Sequence, residues 1–276
     1  MPELPDLVYI ENNLRSALNS KRITDIKIKE PIVFRILVSK GFESLIDARF
    51  ENVYRHGPFL GFKFDNGSEM VIHPMLAGRF KLGSETARSG RGLCFSIHME
   101  DGLALHYADD KKMGKVYLIE AGDYANIPRY TQQGVDILSE KFTLQTFHGL
   151  IQGQRKQIRV FLMDQTILSA IGNAYADEIL FHARIHPKTF CYQLTQDEVT
   201  QLFRSIHEVI YSGIAEVEKA RQPIEIKVRD HMKVRNRKDT PCPCCGTTIR
   251  RAGVLGYDAY FCPSCQPTSR KQFIDW

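Results

Sequence analysis

No stretch of the 276 residues is apolar for long enough to span a membrane, and the start has no signal-like apolar core. These absences point to the cytoplasm or nucleoid and against a membrane partner. Internal repeats and low-complexity tracts are missing too, which excludes solenoid architectures and long linkers. Cysteine is scarce over most of the chain: two of the seven lie before residue 242, and five crowd into 242–265. That distribution does not make a disulfide framework and reads as metal binding in a reducing compartment. Acidic residues are scarce in the tail. Residues 227–276 hold ten Lys and Arg against four Asp, a surplus of six, so the rest of the +5 chain nets to −1. A basic tail on a nearly neutral body suits a phosphate-rich partner, or is simply a solvated basic surface.

Periodicity divides the chain. Leu7, Ile10, Leu14, Ala17 and Leu18 recur at helical spacing behind Asp6, predicting an amphipathic helix near the start. From Ile23 the period shortens. Residues 59–64, the turn Asn66-Gly67, 70–73, 93–99, the turn Asp101-Gly102 and 103–107 read as strands and hairpins. Residues 1–130 are therefore expected to form an antiparallel β-sandwich with a leading helix, and polar sequence over 131–150 a linker. Helical spacing returns around 158–162, 175–181 and 195–219, giving a helical domain over 151–230. Between the first two, Gly172-Asn173 is a simple turn or a helix mouth offering free N–H groups to an anion.

Cys242-x₂-Cys245, sixteen residues and Cys262-x₂-Cys265 have the spacing of a four-cysteine zinc ribbon over 231–276. A closed four-sulfur shell leaves no open position for water, so one structural zinc holds the fold without taking part in chemistry. Cys244 competes for a ligand place with Cys245, although Cys245-Gly246 makes the better turn. So short a tail has too little core to fold without the ion.

The first residues, Met1-Pro2-Glu3-Leu4-Pro5-Asp6, are either an ordinary exposed start or a catalytic tip. With Met1 removed, Pro2 carries a free secondary amine, and α-amino groups titrate near ~8 rather than a lysine's ~10.4. Such an amine attacks a sugar C1′ to give an iminium, and the Glu3 carboxyl stands ready for proton transfer.

Taken together, Pro2-Glu3-Leu4-Pro5, the run Leu162–Gln165 with Ala170–Phe181, and the cysteine spacing resemble the formamidopyrimidine-DNA glycosylase / endonuclease VIII family over essentially the whole chain. The second run is similar to that family's helix–two-turn–helix motif. The resemblance implies a monomeric base-excision DNA glycosylase with AP lyase activity acting on damaged double-stranded DNA. A damaged base is flipped out, excised through a Pro2 imine assisted by Glu3, and the strand is cut by β-elimination. It further implies that Leu76, with Lys111 and Met113, fills the vacated stack, and that Lys156 and Asn173 hold flanking phosphates. Asp6 replaces a usual glutamate, Pro58 a phosphate-binding lysine, and Tyr257 an arginine of the finger, with Arg250 or Arg251 as candidate substitutes. Each lost charge-assisted contact removes about 1.5–3 kcal/mol. A short 220–240 stretch, where relatives cover an oxidised purine, favours an endonuclease VIII-like or unusual lesion over 8-oxoguanine. The alternative is a catalytically weak paralogue that binds damaged DNA; a zinc-finger regulator outside repair would not need a Pro-Glu tip.

Overall fold

The computed structural model describes residues 2–39, 41–84, 91–254 and 256–268. Two compact units divide the chain: Met1–Gln132 with Val217–Val228, and Gln133–Glu216 with Arg229–Trp276.

The first unit opens with α1 (Leu4–Leu18), which buries Leu4, Leu7, Ile10, Leu14 and Leu18 along one stripe. Its strands are β1 (Ile23–Ile28), β2 (Phe34–Ile36), β3 (Phe50–His56), β4 (Phe59–Phe64), β5 (Ser68–His73), β6 (Arg79–Ser84), β7 (Leu93–Met99), β8 (Leu103–Ala108) and β9 (Lys115–Glu120). They form a four-stranded sheet, β1-β7-β8-β6, and a five-stranded sheet, β2-β9-β5-β4-β3. The β-sandwich expected from alternation is therefore present, antiparallel throughout except for the three-residue pairing of β2 with β9. Helix α1 packs on β3, and Arg15 Nε donates to the Val53 carbonyl at 2.8 Å.

The segment after β9 is not free chain. Ile127 and Tyr130 are buried with Phe59, Val71, Tyr117 and Ile119 on the five-stranded sheet, and Tyr124 packs against them. Polar groups under this strap are satisfied by one another: Tyr124 donates to the buried Glu69 at 3.1 Å, and Tyr54 bonds both Glu69 and the Tyr130 hydroxyl. The strap closes in a turn, Ile127-Pro128-Arg129-Tyr130, with Tyr130 N–H donating to the Ile127 carbonyl at 3.2 Å. Proline fixes a negative φ at the second place while Arg129 has φ +64°, the type II pattern that favours glycine at the third. An L side chain there costs about 1 kcal/mol.

In the second unit, α2 (Leu144–Ile151) takes up the last third of the stretch expected as linker; Thr143 caps it, accepting from Thr146 N–H at 3.1 Å. Phe147 and Ile151 give it a buried face, a signal too short for periodicity to register. Helices α3 (Ile158–Met163) and α4 (Asn173–His182) follow, then α5 (Gln196–Ala220), whose last residues belong to the first unit. Gln165 braces the turns between α3 and α4, donating to the Ile171 carbonyl at 2.7 Å and accepting from Ala170 N–H at 2.7 Å. The hairpin β10 (Arg250–Val254) and β11 (Tyr257–Phe261) ends the described fold. Residues 269–276 of the expected finger, with Arg270 and Lys271, lie outside the described residues.

Candidate nucleic-acid site and metal centre

Pro2 and Glu3 are buried, which overturns the reading of an ordinary exposed start. Glu3 is the N-cap of α1, and its N–H donates to Asp6 Oδ2 at 2.9 Å, the return half of a capping box. The shorter side chain at position 6 therefore still spans the turn. Pro5 sits in the first turn, where its missing N–H costs nothing. Pro2 and Asp6 line a narrow cleft with Tyr9, Gly78, Arg79 and the returning segment Ile224–Lys227. Tyr9 pins that segment by donating to the Gln222 carbonyl at 2.8 Å.

Gly78 belongs to the turn that carries Leu76. The turn closes by Gly78 N–H donating to the Pro74 carbonyl at 2.8 Å, with Met75 at φ +50° and the Leu76 side chain 59% exposed. The loop of Lys111 and Met113 leaves β8 where Ala108 pairs with Arg79, so it stands at the same end of the sheet. Buried Asp109 organises it, accepting from Lys111 N–H at 2.9 Å and Gly114 N–H at 2.7 Å. Arg79 bridges to Asp110 at 2.8 Å. Both segments pass close to one side chain, since a Cβ on Gly78 or Gly114 would lie 2.4 or 2.0 Å from the Tyr107 hydroxyl. Leu76, Lys111, Met113 and Pro2 thus share one end of the first unit. Asp109 was missed in the sequence, although the Asp-x₄-Gly run that makes the loop was visible.

His73 ends β5 beside this turn. Burial, the largest cause, pushes its imidazole down to about 4, with the positive charge of Arg129 contributing. The ring is therefore neutral at pH 7. Its Nδ1 accepts from Met75 N–H at 3.0 Å, which leaves the proton on Nε2.

In the second unit Asn173 opens α4, and its Oδ1 accepts from Arg159 at 2.9 Å, leaving the amide nitrogen as the group with protons to offer. Lys156 is engaged with Asp164 at 2.5 Å, so a phosphate there must compete with a carboxylate. Arg159 is the residue the sequence reading passed over. Its side chain is 1% exposed, and it pairs with Asp177 at 2.7 Å and donates to the Asp258 carbonyl at 2.9 Å, tying α3 and α4 to the finger hairpin. Arg235 holds the other Asp177 oxygen at 2.8 Å. A cation among Ile158, Phe161 and Leu162 was the available signal. Glu178 accepts from three successive N–H groups, of Lys233, Val234 and Arg235, at 2.8, 2.9 and 2.9 Å, and so anchors the chain leading into the finger.

The sulfurs of Cys242, Cys245, Cys262 and Cys265 lie within 4.8 Å of one another, and Cys244 is not among them. Separations of 3.8 Å for Cys242–Cys265 and 3.5 Å for Cys245–Cys262 fit a tetrahedron with Zn–S bonds of about 2.3 Å. N–H groups of Cys244 and Cys265 approach the sulfurs of Cys242 and Cys262 at 3.4 Å, as thiolates require. The four cysteines hold one structural zinc ion. At the hairpin tip Tyr257 is 56% exposed and pairs with Val254, whereas Arg250 and Arg251 pair with Phe261 and Tyr260 at the base. Arg251 is engaged with Asp258, the neighbour of Tyr257, at 3.1 Å.

Comparison with known proteins agrees with this architecture. Three family models match in order: "Formamidopyrimidine-DNA glycosylase N-terminal domain" over 1–116, "Formamidopyrimidine-DNA glycosylase H2TH domain" over 133–223, and "Zinc finger found in FPG and IleRS" over 240–268. The formamidopyrimidine-DNA glycosylase of Symbiobacterium thermophilum is 31% identical over 274 residues, covering 97% of this chain and 90% of the relative. That of Pelotomaculum thermopropionicum is 29% identical, covering 96% and 99%. Among solved structures, the MutM (Fpg) protein of Thermus thermophilus aligns with a TM-score of 0.84 at 28% identity over 96% of this chain and 98% of that one. Lactococcus lactis Fpg in complex with an oxidized pyrimidine containing DNA aligns at 0.87 and 25% identity, covering 97% and 100%. With relatives of this identity matched end to end, the chain belongs to the formamidopyrimidine-DNA glycosylase family of DNA-repair enzymes.

Proposed function

We propose that the protein is a bifunctional glycosylase and AP lyase acting as a monomer on damaged duplex DNA, with Pro2 as nucleophile. The observation that carries this reading is the convergence of a capped, buried Pro2-Glu3 tip with the Leu76 turn and the Lys111–Met113 loop at one end of the first unit. Leu76 and Met113 would occupy the stack left by an extruded nucleotide. Once Met1 is removed, the Pro2 nitrogen lies at the positive end of α1, which disfavours an ammonium and raises the share of free amine. Attack on C1′ breaks the glycosidic bond, and the base leaves with a proton. Glu3, fixed through Asp6, serves proton transfer at the sugar. The resulting iminium acidifies the C2′ proton, whose loss expels the 3′ phosphate. Lys156 and the Asn173 amide would hold flanking phosphates.

The lesion we favour is an oxidised pyrimidine or an unusual bulky base rather than 8-oxoguanine. The chain from 221 to 228 lies against the tip as a short apolar-edged return through Ile224 and Ile226, which supports a site without a purine cover.

Borohydride trapping on abasic-site duplex is the test. The parent is expected to give a covalent protein–DNA adduct, and Pro2→Gly with Met1 retained none. A parent that binds without trapping would leave a DNA-binding paralogue in place of the enzyme, the reading that Pro58 and Tyr257 favour. A panel of lesion duplexes then ranks the bases excised.

A further inference from the structure

The zinc finger meets the helices of the second unit along an apolar groove. Phe181, near the end of α4, packs into the finger's core with Val234, Ile249 and the cysteines Cys242 and Cys262. It also lines two cavities, of about 210 and 230 Å³, that share Phe181, His182 and Lys233 and so run into one another. The first reaches back along α4 to Tyr175 and across to Ser212 and Gly213 of α5. The second opens beside Arg184 and, on the finger, Cys244 and Cys265.

The polar groups of this groove are unequally engaged. Glu178 is taken up by the N–H groups of Lys233, Val234 and Arg235, and His182 is held between Ser205 and Glu208 at 3.0 and 3.2 Å. Lys233 and Arg184 are exposed, and neither has a side-chain partner among the described residues. Arg184 is strained as well. Helix α4 ends in a Schellman motif, with Ile185 N–H donating to the Leu180 carbonyl at 3.0 Å and Arg184 N–H to that of Phe181 at 3.2 Å. Arg184 takes the left-handed place of that motif at φ +59°, where glycine is the relaxed choice. An apolar hollow flanked by two unengaged cations suits an aromatic residue beside a carboxylate.

The chain carries such a segment next to the groove. The family's finger model stops at residue 268, and residues 269–276, which lie outside the described residues, read Ser-Arg-Lys-Gln-Phe-Ile-Asp-Trp. Phe273, Ile274 and Trp276 surround Asp275 with apolar bulk, and Arg270 and Lys271 come before this stretch. The point from which the segment departs is fixed, because buried Gln266 donates to the Ile185 carbonyl at 2.9 Å, one residue past Arg184. From Arg184 back to Tyr175 is about 13 Å at about 1.5 Å per residue. Extended, residues 269–276 span up to about 26 Å, so the reach is sufficient.

We propose that residues 273–276 dock in this groove, with Phe273 and Trp276 in the hollow between α4 and α5 and Asp275 against Lys233 and Arg184. The docked segment clamps the finger to the helices and covers the exposed Cys244. The dock belongs wholly to the second unit and does not depend on the chemistry proposed for Pro2.

Trp276 is the one tryptophan of the chain, so its emission reports on this segment alone. In the zinc-loaded full chain that emission is expected to lie to the blue of the urea-unfolded chain, with iodide quenching several-fold weaker. Ser212→Phe, which fills the hollow, and Lys233→Glu should each keep their zinc, shift the emission to the red and restore quenching. Lys141→Glu, a charge reversal elsewhere on the second unit, should change neither. A synthetic peptide of residues 269–276 should bind the tryptophan-free Trp276→Ala chain, and Lys233→Glu in that background should weaken it about tenfold. Parent emission and quenching equal to those of the unfolded chain overturn the dock. A protected tryptophan that ignores both Ser212→Phe and Lys233→Glu overturns this groove as its place. A blue shift that vanishes on dilution assigns the segment to a second copy and overturns the dock within one chain. No DNA enters these measurements, so their failure leaves the glycosylase reading standing.

Discussion

Replacing Asp6 by alanine removes the return half of the capping box while leaving the rest of α1 untouched. The Glu3 N–H, now bonded to Asp6 Oδ2 at 2.9 Å in a buried setting, loses its acceptor. A buried donor left unpaired costs about 1–3 kcal/mol, and lost caps cost about 0.5–2 kcal/mol, so about 2 kcal/mol is expected here. At about 2–4 °C per kcal/mol for a chain of this size, the melting temperature should fall by about 4–8 °C. The chemical consequence is separable from the thermal one. Asp6 fixes the peptide that joins Pro2 to Glu3, and on the proposed mechanism displacing the Pro2 amine by an ångström costs up to about a hundredfold in rate. Single-turnover borohydride trapping, run well below the melting temperature, should therefore slow by about tenfold to a hundredfold. Asp6→Asn keeps an oxygen acceptor and should recover most of both losses. If Asp6→Ala melts within a degree of the parent and traps at the parental rate, the capping box does not position the tip.

Two further outcomes follow from buried groups. Arg159→Met leaves Asp177 with Arg235 alone and takes the donor from Asn173, so chemical denaturation should show a loss near the lower end of the about 3–5 kcal/mol typical of broken buried pairs; a loss below about 1 kcal/mol would refute the role given to Arg159. His73 is held down to about 4 in the folded chain, chiefly by burial, against about 6.5 unfolded. Between these values the unfolded chain takes up a proton that the folded chain refuses, so stability rises with pH across about 4 to 6.5 and is flat above. The slope from this residue is up to about 1.4 kcal/mol per pH unit and should vanish in His73→Gln, as followed by urea titrations at pH 5 and 7.

Much of this molecule was legible in its residues. Alternation with Asn66-Gly67 and Asp101-Gly102 located the central hairpins, and the cysteine spacing located the metal centre, because those signals are local. Strands β2, β3, β6 and β9 were not picked out. The three residues of β2 are too few for a period, and β3 buries only Phe50 and Val53 under an otherwise polar exterior. The strap over 121–131 gave no periodic signal because its anchors, Tyr124, Ile127 and Tyr130, follow no regular spacing and find their partners on strands distant in sequence. For the same reason Asp6 looked like a defect until its hydrogen bond was placed.

The Tyr107 hydroxyl lies so close to the backbone at Gly78 and Gly114 that neither position has room for a side chain. Natural variation at this end of the unit is therefore channelled: a side chain at Gly114 would collide with Tyr107, and one at Gly78 with both Tyr107 and the Pro74 backbone. The residues between the fixed points, Leu76 on one side and Lys111 to Met113 on the other, carry no such obligation. A lineage adapting to a new kind of DNA damage can rewrite those few side chains while inheriting their mounting unchanged.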